Sequence, residues 1–192
     1  MLEKVPVYIL SGGKSSRFGE DKAKVIYNNN PLIVHIAHSV ETIAKKITVV
    51  ADKADKYDYL GLRTIEDEIK DLGPISGLHR AISDMEEEGW LFLTSCDLLG
   101  IRDEWLNMLI SAPRGEYQIV AFRGEFWETL FTLYHISVFN AVNDVISKGK
   151  YALWRIFNYV DCLALSYPDN WNESMNINRP TDLRKFGSLK KV

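Results

Sequence analysis

The sequence predicts an α/β fold, a doubly wound and mostly parallel sheet in a single domain over residues 1–192. Three observations carry this. Strand-like apolar runs alternate with helix-spaced segments through the first half of the chain. The run Trp90-Leu91-Phe92-Leu93-Thr94 has no polar face, as a strand in the middle of a parallel sheet requires. A glycine pair, Gly12-Gly13, follows directly on the first apolar run, and open α/β sheets bind ligands at such strand ends.

The elements follow in order. Val5-Pro6-Val7-Tyr8-Ile9-Leu10 reads as a buried strand. Residues 31–46 read as a helix: Pro31 suits a first helical position, and Leu32, Ile33, Ile36, Ala37, Val40, Ile43 and Ala44 keep helical spacing. Residues 47–51 are rich in β-branched side chains and read as a strand, with 62–65 as the next. Pro74 opens a helix through Leu78, Ala81, Ile82 and Met85 that ends in the acidic run Glu86-Glu87-Glu88, with Gly89 as its stop. In the second half, 117–122 and 129–134 read as strands, 137–147 as a helix and 152–158 as a short helix. A last strand at 160–165 and a last helix at 180–186 close the chain. One antiparallel member makes the sheet mixed. No repeat, low-complexity tract or Pro/Gly/Ser-rich linker marks a domain boundary.

Composition narrows the function classes. With 192 residues and 46% hydrophobic content, the chain can bury one sizeable core. A net charge of −3 implies no nucleic-acid partner, so an anionic ligand must be held by local charge. Cys96 and Cys162 lack C-x-x-C spacing, which argues against a disulfide framework or a structural zinc and suits a reducing cytosol. Met1-Leu2-Glu3-Lys4 has no signal-peptide pattern and no apolar run reaches membrane-spanning length, so the expectation is a cytoplasmic protein without a membrane partner. His35, His38, His79 and His135 form no metal-ligand set; His35 and His38, three apart on a predicted helix, read as surface or packing residues.

The chemistry concentrates in the loop after the first strand. Gly12 and Gly13 carry no Cβ and let the backbone approach a ligand. Their N–H groups and the Ser15 and Ser16 hydroxyls can donate to phosphate oxygens or to a base edge. Arg17 and Lys22 supply positive charge for a polyphosphate. Two other phosphate loops fail on spacing: a Walker A motif needs glycine where Tyr8 stands, and G-x-G-x-x-G is absent because the glycines are adjacent. An ordinary Gly/Ser surface turn would explain the glycines and serines, but not Arg17, Gly19, Asp21 and Lys22 at these offsets. Asp97 follows the apolar strand at 90–94. It stands too far from the helix near Asp103 to cap it, and suits Mg²⁺, which takes one or two carboxylates plus substrate phosphates. Asp67 ends the strand at 62–65; its residue type and place leave a helix cap, a loop carboxylate and a ligand contact all open.

The gapless pattern L-x-G-G-x-S-x-R-x-G-x-D-K, from Leu10 to Lys22, resembles the signature loop of the molybdenum cofactor guanylyltransferases, within the larger group of nucleotide-sugar-type nucleotidyltransferases. Further matches extend the resemblance to Leu183. Ser95-Cys96-Asp97-Leu98-Leu99 is similar to the family's Pro-Cys-Asp-x-Pro, with Ser95 and Leu99 at the prolines. Gly73-Pro74-Ile75-Ser76-Gly77 is similar to Gly-Pro-Leu-x-Gly. Glu128 to Tyr134 resembles Glu-Pro-Leu-x-Ala-Leu-Tyr with Thr129 for proline. Asn176 to Leu183 resembles Asn-x-Asn-Thr-Pro-Glu-Asp-Leu with Arg179 for threonine. Asp52 follows Ala51 where the family often has asparagine.

The resemblance implies a Rossmann-like nucleotidyltransferase fold and transfer of GMP from GTP to molybdenum-bound molybdopterin, with release of pyrophosphate. It implies Mg²⁺ as cofactor, held by Asp97, and a catalytic set of Arg17, Lys22 and Asp97. Nucleotide contacts are implied for Leu10, Ser11, Gly12, Gly13, Lys22, Asp67, Gly73 and Asp97, with Asp67 near the guanine or its ribose and Gly77 packing close on the nucleotide. Substrate contacts are implied for Asn176 and Asn178, the latter equally a helix cap. The implied partners are GTP, molybdenum-molybdopterin and cofactor-assembly proteins. The paired glycines lean towards guanine, since related cytidylyltransferases read Ala-Ala-Gly there. Two rivals stand beside this reading: a cytidylyl- or sugar-nucleotidyltransferase of the same fold, and a non-catalytic nucleotide-binding partner in cofactor assembly, suggested by the departures at Ser95, Leu99 and Thr129.

Overall fold

Alternation along the central strands builds two apolar layers, one on each side of a single sheet. In a computed structural model, which describes residues 3–12, 21–171 and 176–189, the strands and helices run in the following order. β1 (Val5–Ser11) is followed by the two-residue pair β2 (Ile26–Tyr27) and β3 (Asn30–Pro31), α1 (Leu32–Ser39), β4 (Ala44–Ala51), β5 (Thr64–Glu66) and α2 (Pro74–Ser83). Then come β6 (Trp90–Ser95), α3 (Asp103–Ile110), β7 (Ile119–Arg123), β8 (Trp127–His135), α4 (Phe139–Ser147), β9 (Cys162–Leu165) and α5 (Pro180–Leu189).

The main sheet has seven strands in the order β5-β4-β1-β6-β8-β7-β9. β8 runs antiparallel to both β6 and β7, while β1, β4, β5 and β6 pair parallel and β9 lies parallel to β7. The expected single antiparallel member is therefore β8. Val7 and Ile9 of β1 face a layer formed with Leu32, Ile33 and Ile36 of α1 and Trp105, Leu106 and Leu109 of α3. Tyr8 and Leu10 face the opposite layer, with Ile75, Leu78 and Ala81 of α2 and Val142 and Val145 of α4. Helices on both faces of a mostly parallel sheet are the doubly wound α/β architecture.

Three expected elements differ. The predicted helix 31–46 ends at Ser39; residues 40–43 turn, and Ala44-Lys45-Lys46 join β4. Pairing with β1 captures them: Val5 N–H donates to Ile43 O at 2.9 Å and Val5 stands in register with Ala44. Val40 and Ile43 are fully buried all the same, so helical spacing fitted residues that a strand entry buries equally well. The predicted helix from Pro74 stops at Ser83, leaving Met85 and the acidic run outside it. Arg63 grips Asp84 through two guanidinium bonds of 2.7 and 2.8 Å, and Tyr8 Oη donates to it at 3.0 Å, which holds the chain at the helix end. Glu86 and Glu87 then lie against Lys46 and Lys45. The short helix expected at 152–158 is a 3-10 helix, Leu153–Asn158. His35 and His38 behave as packing and surface residues: the His35 ring meets the Tyr27 carbonyl, and His38 stands beside Glu41.

Candidate active site

From β1 the chain moves outward through β4 to β5, and then returns to place β6 on the other side of β1. The crevice at the carboxyl ends of β1 and β6 is therefore the topological switch point, where sheets of this kind bind ligands. Ser11 and Gly12 stand on one side of it and Ser95, Cys96 and Asp97 on the other. Cys96 N–H donates to Leu10 O at 3.0 Å, extending the ladder beyond β6 and holding the Asp97 turn beside β1.

Lys22 reaches this crevice from a 3-10 turn, Lys22–Lys24, whose N-cap is Asp21; Asp21 Oδ1 accepts from Ala23 N–H at 3.1 Å. Lys22 Nζ lies 2.9 Å from Asp97 Oδ2, with the side chains 13% and 28% exposed. The two charged groups singled out from distant parts of the sequence are thus in direct contact. Ser95 Oγ donates to Asp97 Oδ1. The hydroxyl at the family's proline position orients the carboxylate, a role that a polar residue two places ahead of Asp97 could have signalled.

The remaining expected residues sort as follows. Leu10 turns its side chain into the core and Ser11 Oγ is bonded to Tyr57 Oη at 2.7 Å. What these two strand residues offer a ligand is therefore backbone. Gly12 is exposed, with open space where a Cβ would stand. Gly13 and Arg17, with Ser15, Ser16 and Gly19, lie outside the described residues. Leu98 and Asn176 form an isolated bridge and Ile177 N–H donates to Asp97 O at 2.9 Å, so the segment of Asn176 and Asn178 lies beside the Asp97 turn. Asp182 Oδ2 accepts from the backbone N–H groups of Asn178 and Arg179 at 2.9 and 2.8 Å, which assigns a capping role at the entry of α5 to Asp182.

Asp67 continues the edge beyond β5, its N–H donating to Ala51 O at 2.7 Å. Its Oδ2 accepts from Ser76 Oγ at 2.6 Å and its Oδ1 from Ile69 N–H at 3.2 Å, so it ties the first turn of α2 to the strand end, although Gly73 is the N-cap residue. Burial pushes the Asp67 carboxyl above the usual range, opposed by those two hydrogen bonds. Gly73 adopts φ 73° and ψ −153°, a region reserved for glycine. A Cβ there would meet nothing within 4 Å, so Gly73→Ala isolates backbone strain. The variant should lose about 1–3 kcal/mol of stability, read as a lower denaturation midpoint at unchanged slope. An unchanged midpoint would mean that the loop relaxes without cost. At Gly77 a Cβ would stand 2.7 Å from Leu10 Cδ2, so this glycine serves the packing of α2 on β1.

Sequence reasoning left a polar cluster behind the crevice unassigned. Tyr57 Oη donates to Asp21 Oδ2 at 2.8 Å, and Lys56 Nζ lies 2.9 Å from the same oxygen and 2.6 Å from Asp52 Oδ1. Asp52, at the position of the family's asparagine, is thus engaged by Lys56, whose hydrogen bond holds its carboxyl below the usual range. Nothing in the spacing of 56 and 57 announces that they meet Asp21, because the contact is made across two loops.

Among the described residues no group of three or more His, Cys, Asp and Glu side chains gathers to hold a metal. A lone carboxylate at the switch point fits an ion such as Mg²⁺, which completes its shell with phosphate oxygens and water. Burial pushes the Cys96 thiol up to about 12. A cavity of about 430 Å³ lined by Val34, His38, Lys45 and Leu62 opens at the start of β4, the far end of that strand from the crevice, and holds none of these residues. No described helix is long and apolar enough to cross a membrane.

Comparison with known proteins bears on this arrangement. A family model described as the MobA-like NTP transferase domain matches residues 7–163. A probable molybdenum cofactor guanylyltransferase of Flavobacterium johnsoniae is 30% identical over 184 residues, covering 95% of this chain and 96% of the relative. A molybdenum cofactor guanylyltransferase of Aliivibrio salmonicida is 26% identical over 185 residues, covering 94% of each. The crystal structure of a molybdopterin-guanine dinucleotide biosynthesis protein A from Archaeoglobus fulgidus has the same fold, with TM-score 0.77 at 21% identity over 97% of this chain and 98% of that one.

Proposed function

This chain belongs to the MobA-like NTP transferase family, and from that premise we propose that it transfers GMP from GTP to the terminal phosphate of molybdenum-molybdopterin. The observation that carries the reading is the Lys22–Asp97 pair of 2.9 Å at the switch point. A cation and a carboxylate at that place are the two groups needed to handle a polyphosphate and its counter-ion. The pair would serve nucleotide binding with or without turnover, so pyrophosphate release separates this reading from a non-catalytic partner.

The acceptor phosphate is already an anion, so no catalytic base is required. Its oxygen attacks the α-phosphorus of GTP, the bond to the β-phosphate oxygen breaks, and pyrophosphate leaves with that electron pair. Catalysis is then positioning and charge stabilisation. Gly12 brings exposed backbone to the nucleotide. Lys22 turns from Asp97 onto the phosphates and offsets charge growing on the leaving group. Asp97, held by Ser95, would bind Mg²⁺, which when present supplies Lewis-acid stabilisation of the phosphate oxygens. Asn176 and Asn178, in the segment that the Leu98 bridge brings beside Asp97, would contact the acceptor. Cys96 and Cys162 both carry free thiols, which supports a reducing, cytoplasmic setting for the reaction. The decisive assay is pyrophosphate release from GTP with the acceptor, with and without Mg²⁺; release from CTP but not GTP would move the chain to the cytidylyltransferase reading.

The base contact has its own test. Asp67 keeps lone pairs beyond those used by Ser76 and Ile69, and a carboxylate can accept from the N1–H and N2–H₂ edge of guanine. GTP should bind more tightly than inosine triphosphate and CTP by roughly ten- to a hundred-fold, the scale of a hydrogen bond to a charged group worth about 1.5–3 kcal/mol. Asp67→Asn should narrow the gap between GTP and inosine triphosphate. Equal affinities of the wild type for all three nucleotides would remove guanine recognition from Asp67.

A further inference from the structure

We propose that Tyr57 is a positioning residue for Lys22, joining the two flanks of the glycine-rich loop through one hydroxyl. Tyr57 is fully buried, in the connection between β4 and β5, and its backbone N–H donates to Thr64 Oγ1 at 3.2 Å. Its Oη stands 2.7 Å from Ser11 Oγ, at the end of β1, and 2.8 Å from Asp21 Oδ2, at the start of the turn that carries Lys22. A phenol has one hydrogen, and an ionised carboxylate can only accept. Tyr57 therefore donates to Asp21, and Ser11 donates to Tyr57. The bonds run in one direction, from β1 to the residue before Lys22.

Asp21 transmits the constraint. Its Oδ1 accepts from Ala23 N–H at 3.1 Å and its backbone O accepts from Lys24 N–H at 2.9 Å, so both ends of the residue hold the turn. Lys56 Nζ completes the carboxylate at 2.9 Å, and the ammonium groups of Lys56 and Lys24 stand 5.3 and 5.9 Å from the centre of the Tyr57 ring. A buried polar chain of this kind specifies one arrangement when every member is satisfied. The arrangement it specifies sets Lys22 Nζ against Asp97 across the crevice. Loss of the phenolic hydrogen leaves the Asp21 carboxylate short of a donor and lets the turn, and with it Lys22, shift.

The inference rests on Lys22 acting at the phosphates, and a double-mutant cycle tests that link. Tyr57→Phe keeps the buried ring and removes only the hydroxyl. With GTP and acceptor, the variant should lose about tenfold in kcat/KM, the lower end of the cost of a hydrogen bond to a charged group. In a Lys22→Ala background the same change should have less than about a twofold effect, because the group it positions is gone. Wild-type rates in Tyr57→Phe, or an undiminished tenfold loss in the Lys22→Ala background, would overturn the proposal. Amide hydrogen exchange provides a readout that needs no substrate. Faster exchange in Tyr57→Phe confined to residues 21–25 supports the clamp; unchanged exchange, or faster exchange spread through β4 and β5, overturns it. If the wild type turns over no GTP, the proposed function fails and the exchange result still decides the role of Tyr57.

Discussion

Lys22→Ala is expected to lower turnover by roughly 10²–10³, the scale of removing one preorganised electrostatic stabiliser from a transition state. The fold should survive. With the lysine gone, Asp97 keeps the Ser95 hydroxyl and, at 28% side-chain exposure, gains water. The ion pair itself should account for about 1 kcal/mol of stability or less. Rate and stability therefore separate: steady-state assays should show the large loss, while denaturant titration stays close to wild type. A variant within a few-fold of wild-type turnover would show that the Lys22 contact with Asp97 is its whole purpose.

Asp97→Asn should be as damaging by a different route. The substitution preserves shape and an acceptor for Ser95 Oγ, so the turn after β6 should keep its place against Leu10 O. It removes the negative charge that balances Lys22 and that a divalent cation requires. Turnover should fall by about 10²-fold or more, and the remaining rate should no longer respond to Mg²⁺ concentration. Wild-type magnesium dependence in the Asp97→Asn variant would assign the ion to the nucleotide alone and leave Asp97 as the partner of Lys22.

Several features were legible because they depend on local order along the chain. Runs such as Trp90-Leu91-Phe92-Leu93-Thr94 are buried on both faces wherever they pair, so their type follows from composition. The place of the glycine loop follows from the strand that precedes it. The misreadings arise where local order is ambiguous. Val40 and Ile43 fit a helical stripe and are equally buried in a turn and strand entry, and only pairing of Val5 with Ala44 chooses between the two. The end of α2 was hidden for the same reason. Met85 keeps helical spacing, but Arg63 and Tyr8, distant in sequence, stop the helix at Asp84.

The sequence by itself determined the doubly wound class, called for one antiparallel member without saying which strand it is, and singled out the charged residues Lys22 and Asp97. These are properties of hydrophobic period, strand composition and residue spacing, which act over a few residues at a time. Tertiary structure alone decided what those groups touch. Lys22 meets Asp97 because β6 returns to pair with β1, bringing residues 75 positions apart to 2.9 Å. Ser95 becomes the support of Asp97 because the turn after β6 folds back on itself. Tyr57 meets both Ser11 and Asp21 because the β4–β5 connection packs behind the crevice. A hydrogen bond depends on distances of a few tenths of an ångström, and those are set by sheet register, which no local pattern in the chain encodes.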